Sequence, residues 1–187
     1  MPFADRRGRL IALLIQLSFE RKKVLLASGK ESDFFIDCKQ TILTAEGHAL
    51  VGELMFEAVR TTFPQAGGVA GVELGGCPLA SSVALVSHQR GHDLPAFYVR
   101  KDAKDHGTKK LVEGDKSLRP GLEIVMLEDV VTTGGSTLKA VDKLRAAGAT
   151  VTGVVALVDR KEGGREAIEA AGLTLVSLAT RSDFIAD

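Results

Sequence analysis

The residues best suited to chemistry lie together in residues 123–138, Glu-Ile-Val-Met-Leu-Glu-Asp-Val-Val-Thr-Thr-Gly-Gly-Ser-Thr-Leu. Residues 124–127 form an apolar run of the length and side-chain type of a buried parallel strand, which the adjacent carboxylates Glu128 and Asp129 are expected to end. Thr132, Thr133, Gly134, Gly135, Ser136 and Thr137 follow, and then Leu138, Val141 and Leu144 recur at helical spacing. A strand, a turn of glycines and hydroxyls, and a helix start together make an anion cradle. Successive backbone N–H groups face outward there, and the helix N-terminus adds roughly half a positive charge. Two carboxylates beside a phosphate would repel it, so Glu128 and Asp129 need another partner, either ribose hydroxyls or a Mg²⁺ held by the ligand. The stretch therefore reads as a binder of a ribose 5-phosphate unit. An ordinary strand-to-helix turn also favours Gly, Ser and Thr, but it has no reason to carry two acids at the strand end.

Neither the G-x-G-x-x-G of dinucleotide folds nor the Gly-Lys-Ser/Thr of nucleotide hydrolases is present. Over its whole length the stretch resembles the 5-phosphoribosyl diphosphate (PRPP) motif of the type I phosphoribosyltransferases. The resemblance implies that Glu128 and Asp129 hold the ribose hydroxyls of PRPP, with Val130 and Val131 alongside. It also implies that Thr132, Thr133, Gly134, Gly135, Ser136 and Thr137 wrap the 5′-phosphate, Thr132 also bordering the base.

A second chemistry-bearing segment is Arg100-Lys101-Asp102-Ala103-Lys104-Asp105-His106-Gly107-Thr108-Lys109-Lys110, which has neither helical nor strand periodicity. Lys109 and Lys110 read equally well as part of a solvated basic loop. A pyrophosphate leaving group gains negative charge as its bond to C1 breaks, so cations brought to it help more in the transition state than before. Such cations suit a mobile loop that closes over substrate, and Gly107 and Gly114 would permit a hinge. Arg-Lys-x-x-Lys-x-His-Gly, after a strand and ahead of the PRPP motif, resembles the catalytic loop of the orotate phosphoribosyltransferase family. In that family the loop reaches into the active site of the neighbouring subunit of a homodimer. The resemblance implies that Arg100, Lys101, Lys104 and His106 contact PRPP, that Lys104 is the principal catalytic cation, and that His106 and Asp129 complete the catalytic set. The substrates implied are PRPP and orotate. Mg²⁺ is expected to arrive with the pyrophosphate group, because no metal-ligand spacing occurs in the chain.

Ser28-Gly29-Lys30-Glu31-Ser32-Asp33-Phe34-Phe35-Ile36-Asp37 resembles the family's N-terminal motif, in which an aromatic pair lies over a flat pyrimidine. Adjacent strand residues face opposite sides, so one phenylalanine belongs to the core; Phe35 is the one assigned to the ligand. Some relatives have Lys immediately before Ser-Gly where this chain has Ala27, which leaves Lys30 as a substitute. Asp159-Arg160 also matches, and Arg160 offers a fork suited to the carboxylate of orotate. Residues 73–77 stand in the place of the family's pyrophosphate loop, where some relatives carry Lys; here Gly75-Gly76 leaves that contact to backbone N–H groups. His48, His88 and His92 show no partner pattern and read as surface or packing residues.

These segments need elements to position them. Residues 4–19 have the period of an amphipathic helix, and residues 23–27 and 33–37 are extended around a hairpin-like turn. Thr44 is placed to cap a helix that Phe63-Pro64 stops. Thereafter strands at residues 68–72, 94–100, 124–127, 151–158 and 173–178 alternate with helices at 78–89, 138–148 and 164–171. That alternation predicts an α/β fold, a parallel sheet flanked by helices on both faces, as in type I phosphoribosyltransferases. Residues 1–187 are read as a single domain, with about 1–40 as a small N-terminal cap and about 41–187 as the α/β core. Ligands of open parallel sheets sit at the carboxyl ends of the strands, where residues 73–77, 100 onward, 128–137 and 159–160 all fall.

Lys plus Arg and Asp plus Glu both number 24, so no global field favours nucleic acid or an anionic membrane. Cys38 and Cys77 read as reduced thiols. Arg6, Arg7 and Arg9 precede an apolar run, but Gln16 interrupts it and no small-residue cleavage site follows. The run is too short to span a bilayer, and the expected location is the cytoplasm. A relative acting on a purine is disfavoured by the basic loop and Arg160. A PRPP-sensing regulator should lack the loop cations and carry a nucleic-acid surface.

Overall fold

The apolar run at the centre of the chain is a longer strand than its pattern marks. In the computed structural model, which describes residues 2–25, 31–102 and 110–185, it extends from Glu123 to Val131, so Glu128 and Asp129 lie inside the strand rather than ending it. Asp129 is tolerated there because the strand's carboxyl end is only partly buried, and the buried Glu128 because its carboxyl accepts from the Thr137 hydroxyl. Upstream, alternate side chains serve two cores. Ile124 and Met126 pack on one face of the sheet, Val125 and Leu127 on the other.

The elements before it are α1 (Phe3–Leu17), β1 (Phe19–Glu20), β2 (Val24–Leu25), β3 (Glu31–Ser32), β4 (Phe35–Ile36), α2 (Lys39–Ile42), α3 (Ala45–Thr62), β5 (Gly68–Val72), α4 (Gly76–Gln89), β6 (Ala96–Val99) and β7 (Val112–Glu113). The central strand is β8, and α5 (Gly135–Ala146), β9 (Thr150–Asp159), α6 (Gly164–Ala170) and β10 (Thr174–Thr180) follow. Thr44 caps α3 as its position suggests, its hydroxyl accepting from the Gly47 N–H at 3.0 Å. The period-based reading places α4 two residues late and passes over β7, which is too short for alternation to register.

Six strands form the main sheet in the order β10-β9-β8-β5-β6-β7. All pairings in it are parallel except that of the edge strand β7 with β6. The chain runs outward from β5 to β6 on one side and from β8 to β9 to β10 on the other. The order therefore reverses between β5 and β8, and such a switch point opens a crevice at the strands' carboxyl ends. Helices α3 and α4 cover one face with Leu54, Met55, Val59, Leu79 and Val83; α5 and α6 cover the other with Val141, Leu144 and Ile168.

The N-terminal segment differs from its expected form in one respect. β2 pairs with β3, but β4 pairs with β1, Phe19 opposite Ile36 and Glu20 opposite Phe35. The extended pieces around the turn thus belong to two small ladders, tied together by tertiary contacts. Phe34 is fully buried, with ring centroids 5.1 Å from Phe19 and 5.5 Å from Phe184. Arg181 donates to Asp33 at 2.6 Å, and Arg7 donates to the Leu178 carbonyl at 2.6 Å. The carboxyl-terminal end of the chain thereby fastens the cap to the core.

Candidate active site

At the carboxyl ends of β5 and β8 the crevice holds a polar cavity of about 390 Å³ lined by Lys39, Glu73, Leu74, Gly75, Lys101, Glu128, Asp129, Val130 and Ser136, with Val72 beneath. Two helices start at its edge, α4 with Gly75 as N-cap and α5 with Gly134, and neither N-cap makes a side-chain capping bond. In α5 the hydrogen-bonded ladder opens with Leu138 N–H to the Gly134 carbonyl at 2.9 Å. The N–H groups of Gly135, Ser136 and Thr137 precede it, and such donors take their partners from solvent or a ligand. Gly134 adopts φ +78°, a left-handed turn that reverses the chain from strand to helix and leaves Gly135 and Ser136 exposed. Two positive helix ends beside one cavity suit a ligand with more than one anionic group.

The two acids are held differently. Asp129 accepts from the Val130 N–H at 3.0 Å and lies directly over the backbone of Gly75, where an added Cβ would sit 2.0 Å from a carboxylate oxygen. Glycine at 75 is what lets strand-end acid and helix start share the space. Glu128 is buried and accepts from the Thr137 hydroxyl at 2.8 Å. The Thr137 side chain is thus turned inward to orient an acid, so its hydroxyl does not join the cradle as the sequence suggested. Burial first, and the charge of Asp129 second, push the Glu128 carboxyl up to about 8. Folding therefore retains a proton that an ordinary glutamate releases near 4.5. This contribution to stability is full below about pH 4.5 and is lost as pH rises to about 8. Urea unfolding of wild type across that window should show the loss, and Glu128→Gln should flatten it. Equal slopes would mean that the native carboxyl titrates normally.

The rim is set by the root of the basic segment. The Lys101 N–H donates to Glu73, and the Lys143 ammonium donates to the carbonyls of Arg100 at 2.8 Å and Lys101 at 2.6 Å. β5 and α5 thus fix the place where the chain leaves β6. Lys101 reaches the cavity, whereas Arg100 pairs with Glu113 at 3.7 Å and is not in its lining.

The phosphoribosyl transferase domain family matches residues 40–175. A Sorangium cellulosum protein named orotate phosphoribosyltransferase is 67% identical over 184 residues, covering 98% of this chain and 95% of that one. The crystal structure of Mycobacterium tuberculosis orotate phosphoribosyltransferase in complex with PRPP has a TM-score of 0.78 and 35% identity, covering 96% of this chain and 98% of that one. The Aeropyrum pernix orotate phosphoribosyltransferase has a TM-score of 0.80 and 33% identity, with coverages of 94% and 95%. The chain belongs to the orotate phosphoribosyltransferase family.

Against that family's motifs the structure brings Lys101, Glu128, Asp129, Val130 and Ser136 to one cavity, with Thr132, Thr133, Gly134 and Gly135 on the turn beside it. Lys104, His106, Ala27 and Lys30 lie outside the described residues. Of the aromatic pair, Phe34 is core and Phe35 is half-buried, with the Lys22 ammonium 3.9 Å from its ring centroid. Arg160 is no surface arginine: only 8% exposed, it donates to the Phe34 carbonyl at 2.9 Å and pairs with Glu162 at 2.9 Å. It joins the cap to β9 beside the aromatic motif. His88 contacts Asp93 at the surface, His48 the Ile42 carbonyl, and His92 packs near Phe56. Cys38 and Cys77 are both free thiols, and burial pushes each above the ordinary cysteine value. Lys39 is the cavity residue that sequence reasoning passed over. It stands on a four-residue helix with no periodicity to mark it, and its one local signal is its place two residues after the acid Asp37.

Proposed function

We propose that this protein is an enzyme that transfers the 5-phosphoribosyl group of PRPP to orotate, giving orotidine 5′-phosphate and pyrophosphate in de novo pyrimidine (UMP) biosynthesis. The carrying observation is the convergence of two uncapped helix N-termini, the Glu128–Asp129 pair and the root of the Arg-Lys-x-x-Lys-x-His-Gly segment on one cavity at the switch point. In this reading Asp129 and Glu128 accept from the ribose hydroxyls, and Thr132, Thr133, Gly134, Gly135 and Ser136 hold the 5′-phosphate. A ring nitrogen of orotate attacks C1 as pyrophosphate leaves through a ribosyl-like cationic transition state, so no protein nucleophile is required. Lys101, Lys104 and His106, with Arg100 swung from Glu113, meet the charge that builds on the pyrophosphate.

Among the described residues no group of three or more His, Cys, Asp or Glu is arranged to hold a metal ion. The donor set fits Mg²⁺ carried on the diphosphate, with Asp129 and Glu73 the cavity carboxylates that would meet it. Bound there, the ion would neutralise diphosphate charge. The reading includes a homodimer whose basic loops act across the interface, a single domain, no nucleic-acid or membrane partner, and a cytoplasmic location, which the free thiols favour. Among the described residues no helix is long and apolar enough to cross a membrane.

Mixing the protein with PRPP, Mg²⁺ and orotate should consume orotate, followed by its absorbance, and release pyrophosphate in equal amount. Consumption of a purine base instead would overturn the substrate assignment. Arg160 is assigned to the orotate carboxylate, with Phe35 and Thr132 beside the ring. Arg160→Ala is expected to raise the KM for orotate far more than that for PRPP. It should also lower Tm, because the variant loses the tie to Phe34 and leaves the partly buried Glu162 without its partner. An unchanged orotate KM would leave Arg160 a structural tie only.

A further inference from the structure

Resting on that reading, we infer that Lys39 is a diphosphate-binding residue: a cation supplied by the cap that supplies charge lacking in the Gly75-Gly76 loop. The loop after β5 reads Glu73-Leu74-Gly75-Gly76-Cys77-Pro78 and brings an acid to the cavity but no cation. Glu73 and Asp129 line that cavity from β5's end and from β8, so a diphosphate entering it meets carboxylates on two walls. The described cations in the lining are Lys39 and Lys101. Lys101 stands at the root of the basic segment, whereas Lys39 stands on α2 and approaches from the cap side.

Its position is set by Asp37. That carboxylate accepts from the Lys39 ammonium at 2.5 Å, from the Lys39 N–H at 3.2 Å and, through its other oxygen, from Gln40 at 3.1 Å. The Lys39 side chain is 39% exposed, so the ammonium, with three donors and one partner named, remains open to the cavity. Asp37 first, and Asp129 and Cys38 among the lesser causes, hold the ammonium above the ordinary lysine value, in keeping with a charge facing Asp129. A half-exposed pair of this kind adds little to folding. Its effect falls instead on the ligand: a positioned point charge between Asp37 and Asp129 offsets the repulsion a diphosphate would meet.

Calorimetry with inorganic pyrophosphate plus Mg²⁺, and separately with ribose 5-phosphate, tests this on the full chain. Lys39→Gln is expected to weaken pyrophosphate binding about 10- to 100-fold, the scale for one charge-assisted hydrogen bond. Ribose 5-phosphate affinity and Tm should be unchanged, and Lys39→Arg should bind pyrophosphate nearly as wild type does. In turnover the KM for PRPP should rise while that for orotate holds. Wild-type pyrophosphate affinity in Lys39→Gln would overturn the assignment, and so would an equal loss for both ligands accompanied by a lower Tm. Orotate is absent from the binding experiment, so a wild type that binds pyrophosphate through Lys39 yet leaves orotate unconsumed would refute the base assignment alone. A wild type that binds no pyrophosphate yet consumes orotate would refute the Lys39 assignment alone.

Discussion

Lys104→Ala is expected to lower kcat by roughly 10²–10³, the scale for removing one donor aimed at charge that develops in the transition state. Ground-state PRPP affinity should fall less, because that charge is complete only after the bond to C1 breaks. Which subunit's site the cation serves can be read by complementation. The structure anchors the root of the basic segment in its own subunit, through Glu73 and Lys143, and puts Lys101 on that subunit's cavity. Mixing Lys104→Ala with Asp129→Ala nevertheless should restore activity if the remainder of the loop crosses to the partner. One site of each hybrid dimer would then join an intact loop to an intact acid pair. Random mixing makes half the dimers hybrid with one good site of two, so recovery should reach about a quarter of wild-type activity. No recovery, with subunit exchange verified by mass spectrometry, would assign the whole loop to its own subunit.

Gly135→Val should abolish measurable PRPP binding, a loss of at least about 100-fold, while the fold survives. A Cβ at Gly135 meets nothing nearer than the Thr133 hydroxyl oxygen at 4.0 Å, so the unliganded protein has room for a side chain there. That room is the space in front of the first N–H groups of α5, which the 5′-phosphate needs. The neighbouring substitution should behave differently. Gly134 has φ +78°, and a Cβ there would lie 3.1 Å from the Gly164 carbonyl oxygen and 3.4 Å from Ile168. Gly134→Val strains the backbone by about 1–3 kcal/mol and presses on α6, so it should lower Tm as well as affinity. Calorimetry with PRPP beside thermal unfolding separates the two cases. Wild-type PRPP affinity in Gly135→Val would remove the cradle from that helix end.

Local information in the chain determined a good deal here. The Glu128 to Ser136 stretch specifies its own turn and helix start, and the alternation of apolar runs with helical periods specifies an α/β sheet. Thr44, Phe63 and Pro64 bound α3 by chemistry acting over one or two turns. Each is a preference of neighbouring residues for one backbone path, which is why it can be read without a fold. Strand order is of another kind. That β5 lies between β8 and β6, making a switch point over Asp129 and Gly75, depends on packing between segments some fifty residues apart, and no periodicity carries it. Long-range packing also decided that Glu128 continues the strand, that β4 pairs with β1, and that Arg160 is buried against Phe34. Lys39 shows the reason most plainly: a lysine on one short turn has no distinguishing local environment. Only the folding of the cap over the carboxyl ends of the strands sets its charge beside Asp129 and makes it part of a site.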